Sequence, residues 1–471
     1  MKSIAGMAGR VRIGTPDPSL TSASGVIAVA ELADRLGVVQ ALDEAVGPIK
    51  QRDRGLTAGQ LLLAVAQTQM LGGDFMSSLD RRRVDMAGEL LSAVPTPAST
   101  TAAGLCARFR AEQLLWVEDG VSELIDRVVR LLPATRRAVL LGGPATIDLD
   151  GTDVECYGSH KEGIAYNYKG QRAGRPHIAS WAEAGVALAA DLLAGDQDPR
   201  PGAADLICGA AATLKTAGVS ARPVVRGDVG YFAAEIAWAA LDNGCDFSFG
   251  VVRNQAVWRA LGTIPNKAWR KAKRMKGAQV AVMDYAPAGW PPGTHTVVRR
   301  VKIAAEDISA DPRSRRRRTI PKGQLALALE GVADHAWAYS FIATNLDVST
   351  GAKAVKLEAW HRMRTSIEDR IRDAKHGAAL RHLPSGNKTV NTVWMWAALL
   401  AINLSAWLQE LSGLDDGHGH DRAHLCTLRR RLLLVPARLI RHAGQPILRL
   451  PPGQQLLAKV LARLRKLPAW T

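Results

Sequence analysis

The chain has 471 residues, with 61 Lys and Arg against 44 Asp and Glu and a formal charge of +17. That is material for two to four domains with cores of their own, and 47% hydrophobic with 22% charged residues excludes a disordered polycation. Five scattered cysteines, Cys106, Cys156, Cys208, Cys245 and Cys426, include no CxxC pair; they support neither a disulfide framework nor a zinc site and suit a reducing cytosol. The opening MKSIAGMAGRVRIG holds no apolar run of the kind a secretion signal needs.

Residues 1–135 read as a helical domain. VIAVAELADRLGVVQALDEAV (26–46) carries apolar residues at helical spacing, and TAGQLLLAVAQTQMLGG (57–73) opens on a Thr57 cap and stops at Gly72 and Gly73. A further helix follows Pro95 and Pro97 in 95–117. Two such successive short helices are compatible with a helix-turn-helix whose second helix enters a major groove, and equally with a plain helical packing module.

Residues 136–252 change texture. Strands are predicted at 145–150, 221–232 and 246–252, further strands or a strand–helix junction at 177–195, and helices at 203–217 and 233–244. The alternation predicts an α/β core with a mixed or parallel sheet. Residues 253–350 read as a β-rich insertion, since AQVAVMDYAP, HTVVRRVKIAA and WAYSFIATNL alternate apolar and polar positions around an exposed run DPRSRRRRTIPKG (311–323). Residues 351–412 are helical again, and 413–471 read as a basic tail of short helices punctuated by Pro and Gly. Within this part TVNTVWMWAALLAINLSAWLQ (389–409) is uncharged and long enough to span a bilayer. Six polar residues interrupt it, it stands alone, and basic segments flank both sides, so a buried helix is expected and no membrane partner.

The charge is unevenly spread. Residues 253–322 hold 17 basic against 4 acidic residues, 352–471 hold 20 against 8, and the rest carries a balance of −8. Two basic segments on a mildly acidic body predict a polyanion partner, foremost nucleic acid, because each neutralised phosphate releases counterions.

Three acidic residues stand out by context: Asp150 at a strand end, Asp228 just after another strand, and Glu368 on a helix. Carboxylates at adjacent strand ends, with a third from a helix across the sheet, can hold two divalent ions that clamp the attacking and leaving oxygens of a phosphoryl transfer; all-oxygen ligands suit Mg²⁺ or Mn²⁺. His361, Arg364, Glu368 and Lys375 follow one another at three, four and seven residues, which on one continuous helix places them in a single narrow wedge. A Glu between two cations is also what a salt-bridged surface face looks like. Asp148, on the same strand face as Asp150, and Asp153 are competing carboxylates, whereas Asp369 points about 100° away from Glu368.

The His361-x2-Arg364-x3-Glu368-x6-Lys375 spacing resembles the Tyr-x2-Arg-x3-Glu-x6-Lys signature of bacterial insertion-sequence transposases of the DDE type. Asp150-Gly-Thr152 resembles their first catalytic Asp motif and RGDVGY (226–231) the second. DLDGTDVECYG (148–158), HIASWAEAG (177–185), AADLLAGDQDPRP (189–201) and RMRTSIEDRIRDAKHG (362–377) are similar to one subgroup, the DDE transposase group 1 family, across roughly 20–470. The resemblance implies an α/β fold with an RNase H-like core (136–252 and 351–412) interrupted by the β-rich insertion, between a helical N-terminal DNA-binding domain and the basic tail.

It further implies that Asp150, Asp228 and Glu368 are catalytic and bind two Mg²⁺ or Mn²⁺ ions, and that Arg364 and Lys375 hold DNA phosphates. His361 replaces the usual Tyr and would touch a phosphate or sugar. Lys271, Arg274, Arg315, Arg316 and Arg317 would follow the DNA backbone, and Arg429, Arg430, Arg431, Arg438 and Arg441 would bind DNA or pair protomers. Tyr231 and Asn345 would line the site, and Trp290, Trp337 or Tyr339 would stack on a flipped base if a hairpin end forms. The expected partners are double-stranded DNA, at terminal inverted repeats and target, and a second copy of the chain as a homodimer on DNA. No ATP is expected, there being no GxxxxGK[ST]. The expected compartment is the bacterial cytoplasm, at the nucleoid. Two other readings compete: a non-catalytic DNA-binding derivative, and a metal-dependent nuclease that cuts without rejoining.

Overall fold

The structure is a computed structural model that describes residues 12–52, 54–158, 160–418 and 422–470. Residues 1–11 of the stretch read above as lacking a secretion signal lie outside the described residues.

The N-terminal part packs helices α1 (Val26–Leu36), α2 (Val38–Val46), α3 (Ala58–Met70) and α4 (Ala111–Leu131). Gly37, at φ +59°, ends α1 and lets α2 start one residue later. A capping box starts α3: Thr57 Oγ1 accepts from Gln60 N–H at 3.2 Å and Gln60 Oε1 accepts from Thr57 N–H at 3.1 Å. Every residue of α3 except Gln60 is buried, so this helix is core and has no face to offer a DNA groove. Packing accounts for α3, and the helix predicted within 95–117 is two helices here, Ser99–Cys106 and the start of α4.

One large mixed sheet carries the middle of the chain. Its strands longer than two residues are β1 (Thr146–Gly151), β2 (Arg172–Trp181), β3 (Val186–Ala194), β4 (Val224–Gly227), β5 (Asp246–Gly250), β6 (Ala278–Met283), β7 (His295–Ala304) and β8 (His335–Thr344). They lie in the order β3-β2-β1-β4-β5-β8-β7-β6. β2 is antiparallel to both β3 and β1, β1, β4 and β5 are parallel, and β8, β7 and β6 continue antiparallel from β5. The predicted insertion is thus not a separate sheet: its three long strands extend the central one through β8. Helices α5 (Arg200–Thr216) and α6 (Ala234–Asp242) supply the right-sized crossovers before β4 and β5.

The helical return is α7 (Gly351–Arg362), α8 (Thr365–Gly377) and α9 (Lys388–Ser412). Asn387 caps α9 by accepting from Val390 N–H at 3.1 Å, and all residues from Val390 to Gln409 are buried. This is the uncharged stretch of the sequence, apolar on every side because protein surrounds it: it packs on α3, α4 and β3. Its polar residues are spent internally; Asn403, for example, pairs with the backbone N–H and C=O of Ala187 at 2.8 and 3.0 Å.

The tail departs from the expected run of short helices. Residues Ala437–His442 (β9) and Gln445–Arg449 (β10) form a hairpin that pairs with Leu20–Thr21. Ala443 and Gly444 both have positive φ, the two-residue turn that matches strand twist. A final helix α10 (Leu456–Leu464) packs on α1 and α9. Arg429, expected on DNA or at a protomer interface, instead donates to the carbonyls of Met70, Gln69 and Gly377 and ties the tail to the core.

Candidate active site

Because β1 and β4 are parallel neighbours, their ends bring Asp150 and Asp228 to one edge of the sheet. Asp150 Oδ1 accepts its own strand's next amide, Gly151 N–H, at 2.9 Å. Asp228 caps the turn Val229–Tyr231 by accepting from Gly230 N–H at 2.7 Å. Gly227 precedes it for a steric reason: a Cβ there would stand 2.9 Å from the Tyr231 ring. Glu368 sits in the first turn of α8 and is 55% exposed. Arg364, just before α8, joins the set: its guanidinium lies 3.6 Å from Asp150 Oδ2 and 3.0 Å from Glu368 Oε1. Burial pushes the Asp150 carboxyl up to about 6; Arg364 opposes this, and Asp228 and Glu368 add to it as like charges.

The cleft beside these groups has a volume of about 730 Å³ and is lined by Asp150, Asp153, Asp228, Tyr231, Arg175 and Lys375, among others. Three carboxylates form the hard oxygen set that Mg²⁺ or Mn²⁺ prefers, and their mutual repulsion at Asp150 is what a bound cation relieves. Among the described residues no three such side chains stand close enough to hold an ion as placed. The positive charge between Asp150 and Glu368 is supplied by Arg364. The donor chemistry of the three carboxylates fits a divalent cation.

A second row lies one step deeper. Asp148, Arg226 and Ser248 are in register across β1, β4 and β5. Arg226 grips Asp148 with two bonds of 2.6 and 2.8 Å, both groups essentially unexposed. Its third nitrogen donates to Trp360 C=O at 2.5 Å, and its guanidinium lies 4.7 Å from the Trp360 ring. Ser248 Oγ is 2.8 Å from His361 Nδ1. The sheet thus holds the end of α7, and the helix is interrupted there: Met363 and Arg364 N–H bond three residues back, to Trp360 and His361.

This corrects the expectation of one continuous helix. Arg364, Glu368 and Lys375 do share the cleft side, but His361 belongs to the preceding helix and is turned into the protein. It is partly buried and meets Ser248, and burial pushes its imidazole down to about 3, with Arg226, Arg364 and Arg299 contributing. The neutral form of His361 is therefore favoured, and its Nδ1 is engaged by Ser248 Oγ. Since an unfolded His titrates near ~6.5, the unfolded state binds one more proton below that pH, and stability should fall as pH drops from about 6.5 towards 3. His361→Gln should flatten the pH dependence of the urea midpoint by about one proton, at most ~1.4 kcal/mol per pH unit. An unchanged slope would contradict the burial.

The other sequence candidates sort themselves by partner. Asp148 is committed to Arg226. Asp153 is committed to Arg175 Nε at 2.8 Å and Asn167 Nδ2 at 2.9 Å, leaving Asp150 as the strand's available carboxylate. Lys375 Nζ donates to Asp153 C=O at 2.7 Å on the cleft wall. Tyr231 lines the cleft and is buried; burial and the nearby Asp150 and Asp228 hold its hydroxyl well above the usual tyrosine range, so it is a neutral donor. Asn345 does not reach the cleft: it clamps β5 by accepting from Phe247 N–H and donating to Asp246 Oδ1, both 2.8 Å.

Trp290 packs among Phe232, Phe247 and Phe249, and Tyr339 is buried. Trp337 lies 4.3 Å from the Arg300 guanidinium, which is also 3.9 Å from Trp269. Lys271, Arg274, Arg315 and Arg316 are exposed, and Arg317 is half-buried, donating to Ala310 C=O at 2.8 Å. Sequence reading missed His177 and Arg175. His177 is fully buried, stacked on Tyr231 with ring centroids 5.6 Å apart, and burial holds it neutral, at about 4. No local signal marks it: the antiparallel register of β2 on β1, a tertiary feature, sets His177 opposite Gly151.

Comparison with known proteins adds three findings. The family described as transposase DDE domain group 1 matches residues 6–469. No curated protein matches. Among solved structures, a cryo-EM structure of a piggyBac transposase synaptic complex with hairpin DNA is similar at a TM-score of 0.40 and 10% identity, over 93% of this chain and 84% of that one.

Proposed function

Since the chain belongs to the transposase DDE domain group 1 family, we propose that it cuts DNA at the ends of a mobile element and joins those ends to a target, with Asp150, Asp228 and Glu368 as the catalytic carboxylates. The observation that carries this is the convergence of Asp150 and Asp228 at parallel strand ends, with Glu368 joined to Asp150 through one guanidinium. The strand order around β1, three antiparallel strands followed by two parallel ones, supports an RNase H-like core.

Two Mg²⁺ or Mn²⁺ ions held by the three carboxylates would activate the attacking oxygen and neutralise the leaving one. The protein's own groups do the rest. Arg364 leaves its carboxylates for a phosphate of the reacting strand, a bidentate partner suited to guanidinium. Lys375 adds a second cation on the cleft wall. Tyr231 keeps its proton and directs a neutral donor at the cleft. In the first step a water oxygen bonds to phosphorus, the P–O3′ bond breaks, and the departing oxygen is protonated as a 3′-hydroxyl. In the second that 3′-oxygen bonds to a target phosphorus, breaking a P–O3′ bond there; no nucleotide energy source is required. Lys271, Arg274 and Arg315–Arg317 would track the duplex outside the cleft, and two copies would pair two ends.

The test is a supercoiled plasmid carrying the DNA that flanks the gene, incubated with the protein and Mg²⁺. Excision with integration is the expected result, abolished by EDTA and restored by excess Mg²⁺ or Mn²⁺. Cutting without joining would mean a nuclease, and salt-sensitive binding without cutting a non-catalytic DNA-binding protein.

A further inference from the structure

The loop between β1 and β2 carries three tyrosines that the reaction above does not use, and two of them are built into a rigid tip. Ala165–Tyr166 pairs with β2, Tyr166 opposite Arg172. Asn167, next in line, is buried and holds the turn: its Oδ1 accepts from Lys169 and Gln171 N–H at 2.9 and 3.0 Å, and its Nδ2 donates to Asp153. With Asn167 pointing in, its neighbours point out; Tyr166 is 66% and Tyr168 74% exposed. Each ring has a cation beside it, Arg172 at 5.9 Å from Tyr166 and Lys169 at 5.4 Å from Tyr168. Tyr168 and Lys169 line the cleft that holds Asp150 and Asp228, and Arg315 of the arginine-rich run reaches Tyr168 Oη at 3.4 Å.

Single exposed hydrophobic residues need no explanation. Two aromatic rings two residues apart, displayed on a hydrogen-bonded turn and flanked by cations, the second of them on the rim of the cleft proposed to take a phosphodiester, are the parts of a single-strand site: ring faces for bases and charge for the backbone. A paired duplex has its base faces occupied, so only unpaired bases can use them. We propose that Tyr166 and Tyr168 form a stacking platform for unpaired bases of the strand entering or leaving the active-site cleft. This rests on the transposase reading for its place in the reaction, but not for its binding chemistry.

Binding is measured without divalent ions, by fluorescence anisotropy of a short mixed-sequence single-stranded oligonucleotide and of the matching duplex. Tyr166→Ala and Tyr168→Ala should each weaken single-strand binding by about fivefold or more, the paired variant by more than either, with duplex binding little changed. Tyr166→Phe and Tyr168→Phe should stay within about twofold of the parent, since the ring and not the hydroxyl does the stacking. The substitutions are at exposed positions, and unchanged circular dichroism confirms the fold. Single-strand binding indifferent to the Ala variants, Phe variants as weak as Ala, or equal losses for duplex and single strand would each overturn the platform. Plasmid cleavage that depends on Asp150 and Glu368 while single-strand binding ignores the tyrosines would sink the platform alone. Tyrosine-dependent single-strand binding without any cleavage would sink the catalytic reading alone.

Discussion

Replacing Asp150, Asp228 or Glu368 by Ala should lower strand cleavage by about 10³-fold or more, ~4 kcal/mol of transition-state stabilisation, while leaving the protein folded and binding DNA. The physical basis is plainest at Asp150, which is placed against its own interest. Asp150 is desolvated and held beside Asp228 and Glu368, so that its carboxyl rises to about 6, with Arg364 only partly compensating. A group kept for folding would not be left in this state. Asp150→Ala should therefore leave the thermal midpoint unchanged or raise it above pH 6, even as activity disappears, the signature of a residue retained for function at a cost in stability. The loss should appear in kcat more than in KM, because the carboxylates act on the reacting phosphorus and not on the flanking duplex. Glu368→Ala that cleaved at the parent rate would show that the catalytic acid is elsewhere.

The second large effect is expected one layer below and has the opposite signature. Asp148→Ala or Arg226→Ala leaves a single charge in a buried site where the pair makes two bonds of 2.6 and 2.8 Å, and should destabilise the protein by about 3–5 kcal/mol. The loss is read as a lower apparent midpoint in urea. Replacing both together, Asp148→Leu with Arg226→Met, removes the pair without stranding a charge, and should restore most of that stability. Cleavage should remain impaired in the double variant, because Arg226 also donates to Trp360 C=O and so holds the end of α7, from which Arg364 and Glu368 follow. Full activity in a stable double variant would show that Arg226 acts on folding alone and does not position α8.

Much of the framework was legible in the sequence. The alternating residues before Asp150 marked its strand, because a strand's two-residue period is written locally, and Asp150 and Asp228 fell at strand ends as expected. The uncharged 389–409 stretch was legible as a buried helix for a similar reason: its Asn and Gln residues have uses inside a protein and none in lipid. The tail hairpin was missed because Ala443 and Gly444 are a weaker turn signal than the prolines around them, and because its pairing partner, Leu20–Thr21, is more than four hundred residues away. His361 was misplaced by a helical wheel that assumed an unbroken helix, whereas Arg226, from a strand, occupies the Trp360 carbonyl and α7 stops.

The sequence by itself determined the residue types at the site, the strands that end in them and the location of excess positive charge in 253–322 and 352–471, since each of these is a property of consecutive residues. The resemblance of Asp150-Gly-Thr152 to a known motif singled out Asp150, and only the tertiary structure supplied a physical difference among the neighbouring carboxylates. Asp148, Asp150 and Asp153 are near-equivalent as text, and what separates them is supplied from elsewhere in the chain: Arg226, 78 residues on, neutralises the first, and Arg175 and Asn167 take the third. Asp150 meets Arg364 and its two like charges. Burial and pairing set a carboxylate's chemistry, and both are assembled from distant segments, so the local motif could point to Asp150 but not give the physical reason for it.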